Sequence, residues 1–194
     1  MSKHPISRKF FYQGTLDLAY NLLGKILYKE TAEGLAAGKI VETEAYLGID
    51  DRAAHSYGNK RTKRTEIMYG EPGYVYTFEM HTHCLVNVVS ELEGQPEAVL
   101  IRALEPITGL ELMYERRKVQ KEKELTNGPG KLTKALGIIK QDYGCHFSER
   151  PLYITEGEIL ESISSGPRIG IEKTGEARFY PYRFWETGNR FVSK

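Results

Sequence analysis

The stretch IVETEAYLGIDDRAAHS, residues 40–56, constrains the fold more than any other part of this sequence. Side chains of a β-strand point to opposite faces in turn, so the strict alternation over Lys39–Tyr46 predicts a strand. One face of that strand would carry Ile40, Glu42, Glu44 and Tyr46. Such a face indicates one of two things: an exposed strand edge, or a catalytic carboxylate beside a ring that stacks on a flat substrate.

Hydrophobic periodicity along the chain predicts both helices and strands. Apolar side chains recur with helical spacing from Leu16 to Leu27, and KETAEGLAAGK then predicts a hairpin or short connection. We predict strands for GYVYTFEMHTHCLVNVVS, with a bend near residues 79–81, and for EAVLIRALEP, where Pro106 would end the strand. Thr108 and Glu111 match a capping box that starts one helix, and another helix would end at Gly137.

The last third of the chain adds three short strand-like pieces, PLYI, PRIGI and FYPYRFW. No internal repeat, low-complexity tract or linker divides the sequence, and 194 residues are enough for one hydrophobic core. We therefore expect an α+β fold in a single domain, residues 1–194.

Composition narrows the environment and the partners of the chain. The formal net charge is only +1, so a polyanion would have to be held by a local basic patch. Two cysteines far apart in sequence favour a reducing cytoplasm over a disulfide framework. The opening MSKHPISRKFFYQG has no apolar run typical of a signal peptide, and no window approaches a membrane span. We expect a cytoplasmic protein without membrane contact, and a monomer because no apolar stripe is left over.

Residues 48–73 form a long polar segment, and such segments inside compact domains tend to be functional or disordered. A neutral imidazole such as His55 can stack on a base or hydrogen-bond a phosphate, although a solvated loop histidine is the simpler interpretation. The part from Arg52 to Thr65 contains no acid and five bases: Arg52, Lys60, Arg61, Lys63 and Arg64. These cations would suit the phosphates of a nucleic acid, or they are a solvated surface.

Two further motifs carry weaker signals. HTHC would place His81 and His83 on one strand face, but a zinc site needs three or four ligands and no partner set is visible. A metal-dependent hydrolase using both histidines with Glu44 stays an alternative, and we predict no metal. NGPGKL is a glycine-rich turn into a helix, without the spacing of a P-loop, in which Lys131 could meet one phosphate.

The chain closely resembles a bacterial member of the alkyladenine (3-methyladenine) DNA glycosylase family. Four segments carry this resemblance, in this order: GKIVETEAYLGIDDRAAHS, VLIRALEP, NGPGKLTKALGI and PRIGI. The resemblance begins near FFYQGTLDLAYNLLGKIL and runs almost to the C-terminus. It implies a curved antiparallel sheet surrounded by helices. It also implies excision of alkylated and deaminated purines from double-stranded DNA, without metal or organic cofactor.

The resemblance also implies roles for individual residues. Glu44 would activate the water, with Arg102 beside it. Tyr46 and His55 would sandwich the flipped base, Tyr76 would close the pocket, and Asn87 at its floor would test for a guanine amino group. Arg61, Arg64 and Lys131 are our candidates for contacts with the DNA backbone.

One segment departs from the family pattern. The family commonly reads YVY, two apolar residues, then Tyr-Gly-Met, and that third tyrosine fills the gap left by the flipped nucleotide. This chain reads YVYTFEMHTHC, with about one extra residue and no tyrosine at that point. Met80 is the nearest apolar candidate for the wedge, since other DNA-bending proteins insert Met or Leu. The altered wedge leaves a catalytically silent damage-binding protein as a further alternative.

The chemistry follows from the leaving group. N3- or N7-alkylated purines are cationic and already leave easily, so one carboxylate that orients and deprotonates water can suffice. No lysine lies between Glu44 and His55. We therefore expect hydrolysis without a Schiff base and without strand cleavage.

Overall fold

The computed structural model describes residues 4–193, and an antiparallel sheet with three α-helices dominates this part of the chain. The strands are β1 (Ile26–Thr31), β2 (Gly34–Tyr46), β3 (Val75–Met80), β4 (His83–Ser90), β5 (Glu97–Thr108), β6 (Leu152–Thr155), β7 (Ile163–Gly166) and β8 (Arg183–Glu186). The α-helices are α1 (Thr15–Asn21), α2 (Leu110–Arg117) and α3 (Pro129–Leu136). Single 3₁₀ turns occupy Arg8–Phe11, Gly48–Asp50, Tyr57–Asn59, Glu66–Tyr69, Glu122–Glu124, Lys140–Asp142 and Gly175–Phe179. No helix within residues 4–193 is long and apolar enough to cross a membrane.

Strand β2 lies at the centre of the sheet and pairs with three other strands, β5, β1 and β8. The strand order is β3-β4-β5-β2-β1-β6, and each pairing is antiparallel. One edge of β2 pairs with β1 along Gly34–Lys39 and then with β8 along Glu42–Glu44, while β7 pairs with β8. The predicted α+β fold with a curved antiparallel sheet is confirmed.

Three irregularities interrupt the pairing of β2 with β5, and two of them are β-bulges beside Glu42. Ile40 pairs with Leu104 and Glu42 with Ala103, which leaves Val41 as an extra residue on β2. The pairing then jumps from Ala103 to Ile101, opposite Thr43, so Arg102 is an extra residue on β5. A bulge changes the face to which side chains point, and bulges are common beside active sites.

The helices pack against one face of the sheet. Leu18 of α1, Met113 of α2 and Leu132 of α3 belong to the same buried cluster as Ile101 of β5. Thr43 points to this side as well, because its hydroxyl donates to the Ala19 carbonyl at 2.7 Å. The opposite face is therefore left for other segments to cover.

The bulge corrects the predicted faces of β2. Ile40 was expected beside Glu42, but it lies in the helix-side core, whereas Val41 packs with Phe191 on the other face. Strict alternation resumes only from Glu42 onward. A period-two pattern in the sequence cannot reveal a bulge, because the bulge inserts a residue without changing the pattern.

Four local predictions were wrong. The helix from Leu16 ends at Asn21, because Gly24 (φ +81°) turns the chain into β1. Pro106 lies inside β5, where this part of the strand pairs with β2 and no longer with β4. Gly109, not a side-chain cap on Thr108, precedes α2. PRIGI is not a strand.

The structure contains a turn at both places where the sequence predicted a hairpin or a bend. The segment KETAEGLAAGK forms a tight hairpin between β1 and β2, with Thr31 opposite Gly34. Gly38, where a break was predicted, lies within β2. The bend expected near residues 79–81 is a two-residue turn, His81–Thr82, between β3 and β4. Both turn residues have left-handed backbones, with φ of 48° and 69°.

Candidate active site

The acidic face of β2 is buried, on the side of the sheet away from the helices. Strand register brings Tyr76, Asn87, Leu100 and Glu44 into one row across β3, β4, β5 and β2. Tyr46 projects to the same side as Glu44, as predicted, and its hydroxyl donates to Glu44 Oε2 at 2.9 Å. The interpretation of this face as a solvent-exposed strand edge is therefore wrong.

A cavity of about 460 Å³ opens over this row. It brings together six residues singled out from the sequence: Tyr46, His55, Tyr76, Met80, Asn87 and Arg102. The wall also includes the hairpin side chains Phe78 and Leu85, Met68, and the segment 169–174. A cavity of this size, largely apolar with a few polar groups, is typical of a small-molecule or base pocket.

Glu44 lies directly behind the cavity wall, and its carboxylate is held on both oxygens. The Ile169 amide donates to Oε1 at 2.8 Å, while Oε2 accepts the Tyr46 hydroxyl. Burial raises the pKa of Glu44, and Arg102, whose Nη1 lies 3.4 Å from Oε1, opposes that rise. A carboxylate with a raised pKa is a stronger base than one in water.

Arg102 reaches this point because it is the bulged residue of β5. Its Nε donates to Glu42 Oε1 at 3.1 Å and to the Ser193 hydroxyl at 3.2 Å. The guanidinium therefore lies between two buried carboxylates, Glu42 and Glu44, and also lines the cavity. Arg102 thus lies beside Glu44 in the structure, and its role there stays a prediction.

The ring of Tyr46 is supported from behind by a buried ion pair. The Arg168 guanidinium lies 4.6 Å from the centre of the Tyr46 ring and donates through Nη2 to Asp51 Oδ1 at 2.8 Å. Asp51 also accepts the amides of Leu47 and Ala53, which fixes the start of the loop that carries His55. Burial and the adjacent Glu44 carboxylate raise the pKa of Tyr46, so the phenol stays protonated.

His55 is oriented by aromatic neighbours. Its Nδ1 lies 2.7 Å from the Tyr76 hydroxyl, and its ring meets the Phe78 ring edge to face at 4.5 Å. Burial, together with the nearby charges of Arg64 and Lys60, lowers the pKa of His55 to about 4. The imidazole is thus neutral near pH 7, which suits stacking and hydrogen bonding rather than charge pairing.

The β3–β4 hairpin forms one rim of the cavity. Met80 lines the cavity, yet 48% of its surface is exposed. His81, Thr82 and His83 at the turn are exposed as well. Among residues 4–193, no cluster of three or more His, Cys, Asp or Glu side chains could hold a metal ion, so the two hairpin histidines do not meet Glu44.

The three basic residues predicted to contact the DNA backbone have different surroundings. Arg61 donates twice to Glu66, at 2.6 and 3.0 Å, and stacks on Tyr69. Arg64 is exposed and close enough to lower the pKa of His55. Lys131, in the first turn of α3, donates to Asn127 Oδ1 at 2.9 Å.

Several residues of the site escaped the sequence-based prediction. The sequence analysis predicted no role for Glu42. The alternation that placed Glu42 on the same strand face as Glu44 was the signal that could have pointed to one. Arg168 stood within PRIGI, which was interpreted as a strand. Ser193 and Phe78 gave no signal, since nothing in a linear pattern shows which distant segments close over a sheet face.

Comparison with known proteins identifies the family. A family model described as methylpurine-DNA glycosylase (MPG) matches residues 9–190. A Bacillus subtilis protein is 60% identical over 192 residues, covering 99% of this chain and 98% of its own length. Relatives from Oceanobacillus iheyensis (58% identical; 98% and 96% covered) and Listeria monocytogenes serovar 1/2a (45%; 97% and 92%) carry the same name, "Putative 3-methyladenine DNA glycosylase". The chain therefore belongs to the methylpurine-DNA glycosylase family of DNA-repair enzymes, which hydrolyse N-glycosyl bonds.

Proposed function

We propose that this chain, as one domain over residues 1–194, is a monofunctional DNA glycosylase. It extrudes an alkylated or deaminated purine from double-stranded DNA and hydrolyses the N-glycosidic bond with a water activated by Glu44. The observation that carries the proposal is the buried Glu44 carboxylate behind Tyr46, with Arg102 3.4 Å away at the wall of a base-sized cavity.

The pocket would bind the extruded base through its rings. A base inside a duplex exposes neither face, so it has to leave the stack at a cost of a few kcal/mol, which favours already weakened pairs. Tyr46 and His55 would sandwich the purine, and Tyr76, whose hydroxyl lies 2.7 Å from His55 Nδ1, would close the pocket. An electron-rich ring favours a stacked cationic base by roughly 0.5–2 kcal/mol. Asn87, whose amide donates to the Tyr76 carbonyl at 3.0 Å, would test the edge of the base for a guanine amino group.

Glu44 would then deliver the water. Donors from Ile169 and Tyr46 fix the plane of its carboxylate, and each oxygen keeps a further acceptor direction for a water. The raised pKa makes proton abstraction easier, and the negative charge stabilises the oxocarbenium-like sugar. Arg102 would hold the same water and keep Glu44 ionised.

Duplex recognition would involve the rim of the cavity. Met80 is proposed as the wedge that fills the gap left by the base, and Arg61, Arg64 and Lys131 as phosphate contacts. Met80 is exposed and lines the cavity, and Arg64 is exposed and close to His55. Lys131 follows Pro129, another residue of the cavity wall, by two positions. Arg61 belongs to the same basic loop as Arg64. The enzyme would act as a monomer and without a cofactor.

Base release from defined duplexes tests the proposal. The native chain should release 3-methyladenine from methylated duplex DNA, or hypoxanthine or ethenoadenine from single-lesion duplexes, read as alkali-sensitive sites. Glu44→Gln should keep the affinity for lesion DNA and lose excision by about 10²-fold or more, as for a removed general base. An equally active Glu44→Gln would exclude the mechanism, and lesion binding without release by the native chain would indicate a damage-binding protein instead. Covalent trapping with borohydride would contradict hydrolysis without a Schiff base.

A further inference from the structure

We propose that Glu42 is a positioning residue, which anchors Arg102 and thereby sets the distance between Arg102 and Glu44. This inference rests on the proposed function, because it assigns Glu42 to the same excision reaction. Glu44 contacts three residues of the cavity wall, Tyr46, Ile169 and Arg102. Of the residues that donate to Glu42, Arg102 lines the cavity, whereas Arg183 and Ser193 do not, so Glu42 would act through Arg102 and not on the substrate.

The Glu42 carboxylate is fully buried and accepts four hydrogen bonds. Two come from guanidinium groups, Arg102 Nε at 3.1 Å and Arg183 Nε at 2.6 Å. The other two come from Ser193, whose amide donates to Oε2 at 2.7 Å and whose hydroxyl donates to Oε1 at 2.8 Å. A carboxylate fixed by four donors on three chain segments has a single orientation.

Arg102 divides its donors between the two carboxylates. Its Nε is committed to Glu42 and to the Ser193 hydroxyl, within hydrogen-bond distance of both. Its Nη1 stops 3.4 Å from Glu44 Oε1, an ion-pair distance longer than an ordinary charge-assisted hydrogen bond. The anchor at Nε therefore prevents full fork-to-fork pairing with Glu44 and leaves the Nη end of Arg102 at the cavity wall.

The C-terminal segment holds this anchor in place. Phe191 is buried in a small cluster with Val41 and Ala103, which lie next to the two bulges. That packing sets the position of Ser193, whose carbonyl also accepts Arg183 Nη2 at 3.2 Å. The bulges, the C-terminal segment and Arg102 therefore form one connected unit.

Stability alone is a poor reason for this arrangement. Buried charge clusters are often no more stabilising than apolar side chains of the same volume, because each charge loses its hydration. A cluster of two glutamates and two arginines beside a reaction cavity instead fits a need for accurate placement. A displacement of about 1 Å in a catalytic group can reduce a rate by around 10²-fold.

A double-mutant cycle with Arg102 tests the proposal. The readouts are the single-turnover rate of 3-methyladenine release from methylated duplex DNA and, separately, the affinity for an uncleaved lesion duplex. Glu42→Gln should lower the rate roughly 10- to 100-fold with little change in affinity, as expected for a misplaced catalytic group. In the Arg102→Ala background, Glu42→Gln should cause no further loss, since its effect is transmitted by Arg102.

Two companion variants keep the test decisive. Ser193→Ala removes the hydroxyl that bridges Glu42 and Arg102 without changing any charge, so it should fold even if Glu42→Gln does not, and should slow release several-fold. Glu30→Gln changes a carboxylate of β1, in the same sheet, that pairs with Arg150 away from the cavity and from the C-terminal segment, and should leave the rate unchanged.

The outcomes separate this inference from the function on which it rests. No release by the native chain would reject the proposed function, whatever Glu42 does. Two other outcomes would overturn the positioning role alone, provided that the native chain releases the base normally. One is that the losses for Glu42→Gln and Arg102→Ala multiply in the double mutant. The other is that Glu42→Gln and Ser193→Ala both release the base at the native rate.

Discussion

The two sides of the cavity differ in how far their side chains are fixed. The inner side consists of Glu42, Glu44 and Arg102, which are all buried and joined by hydrogen bonds or ion pairs. The outer side is the hairpin rim, Met80–His83, whose side chains are largely exposed. Both sides are carried by neighbouring strands of the same sheet.

The difference fits the two tasks of the proposed function, bond cleavage on the inner side and contact with the duplex at the rim. Bond cleavage needs groups held in place before the substrate arrives, because reorganisation during the reaction raises the barrier. Contact with a duplex needs side chains that can adjust to a bent and locally unstacked helix. We therefore expect changes on the inner side to affect the rate of excision, and changes on the rim to affect binding and base extrusion.

The largest effect expected here comes from pH and concerns the inner side. In the proposed mechanism Glu44 must be ionised to act as a base, so its raised pKa should move the loss of activity to a higher pH than an ordinary glutamate would show. With the cationic base 3-methyladenine, which needs no acid catalyst, release should fall about tenfold for each pH unit below that pKa. Single-turnover rates between about pH 5 and 9 would measure this acidic limb.

His55 provides the control for this assignment. Its pKa of about 4 keeps it neutral over that range, so its titration should not contribute. The midpoint of the limb should be the same in His55→Asn, whatever the absolute rate. A midpoint that moves with this substitution would show that the limb does not belong to Glu44.

A smaller effect is expected at the hairpin rim. Met80→Ala should weaken base extrusion from duplex DNA, with release slowed by roughly three- to tenfold because the gap in the stack is left unfilled. The defect should shrink when the lesion lies in single-stranded DNA, where no stack has to be opened. Leu92→Ala, which truncates an exposed apolar side chain beyond the other end of β4, is the matched control. Equal defects on duplex and single strand would argue against a wedge.

The smallest effect is expected for the basic loop. Arg64→Ala should weaken binding to any duplex, damaged or not, and lower the slope of log affinity against log salt by about 0.9 for one lost phosphate contact. Arg61→Ala should change the slope less, because Arg61 is already paired with Glu66 and would have to leave it. Binding titrations at several salt concentrations measure the slope for each variant. A larger change of slope for Arg61→Ala than for Arg64→Ala would mean that Arg61 is the better phosphate contact.

Part of the candidate site could be predicted from local sequence patterns. Glu44 and Tyr46 are two apart on one strand, so alternation alone predicted their common direction. His55 follows in the same stretch, and the family resemblance added Tyr76, Asn87 and Arg102 at matching motifs. The same alternation placed Ile40 on the wrong face, since the extra residue Val41 has no signature in a period-two pattern.

Residues that act across long sequence distances could not be found in this way. Arg168 contacts the Tyr46 ring although the two residues are 122 positions apart in the sequence. Ser193 and Glu42, which are hydrogen-bonded, are 151 positions apart. Arg168 and Asp51 form a buried pair only because two loops cross the same sheet face, and a linear sequence does not show which loops will do so. Helix ends were equally hard to locate, because Gly24 ended α1 inside a stretch whose apolar spacing still looked helical.

The bond between Ser193 and Glu42 has a consequence for genetics. A stop codon at position 193, or a frameshift shortly before it, would leave Glu44, Tyr46, His55 and Arg102 unaltered in the encoded chain. A survey of genomes that looks only for these residues would then count the gene as functional. The shortened protein would nevertheless lack two of the four donors to Glu42, the amide and the hydroxyl of Ser193. If Glu42 positions Arg102 as proposed, such alleles should release methylated bases more slowly than the native gene does.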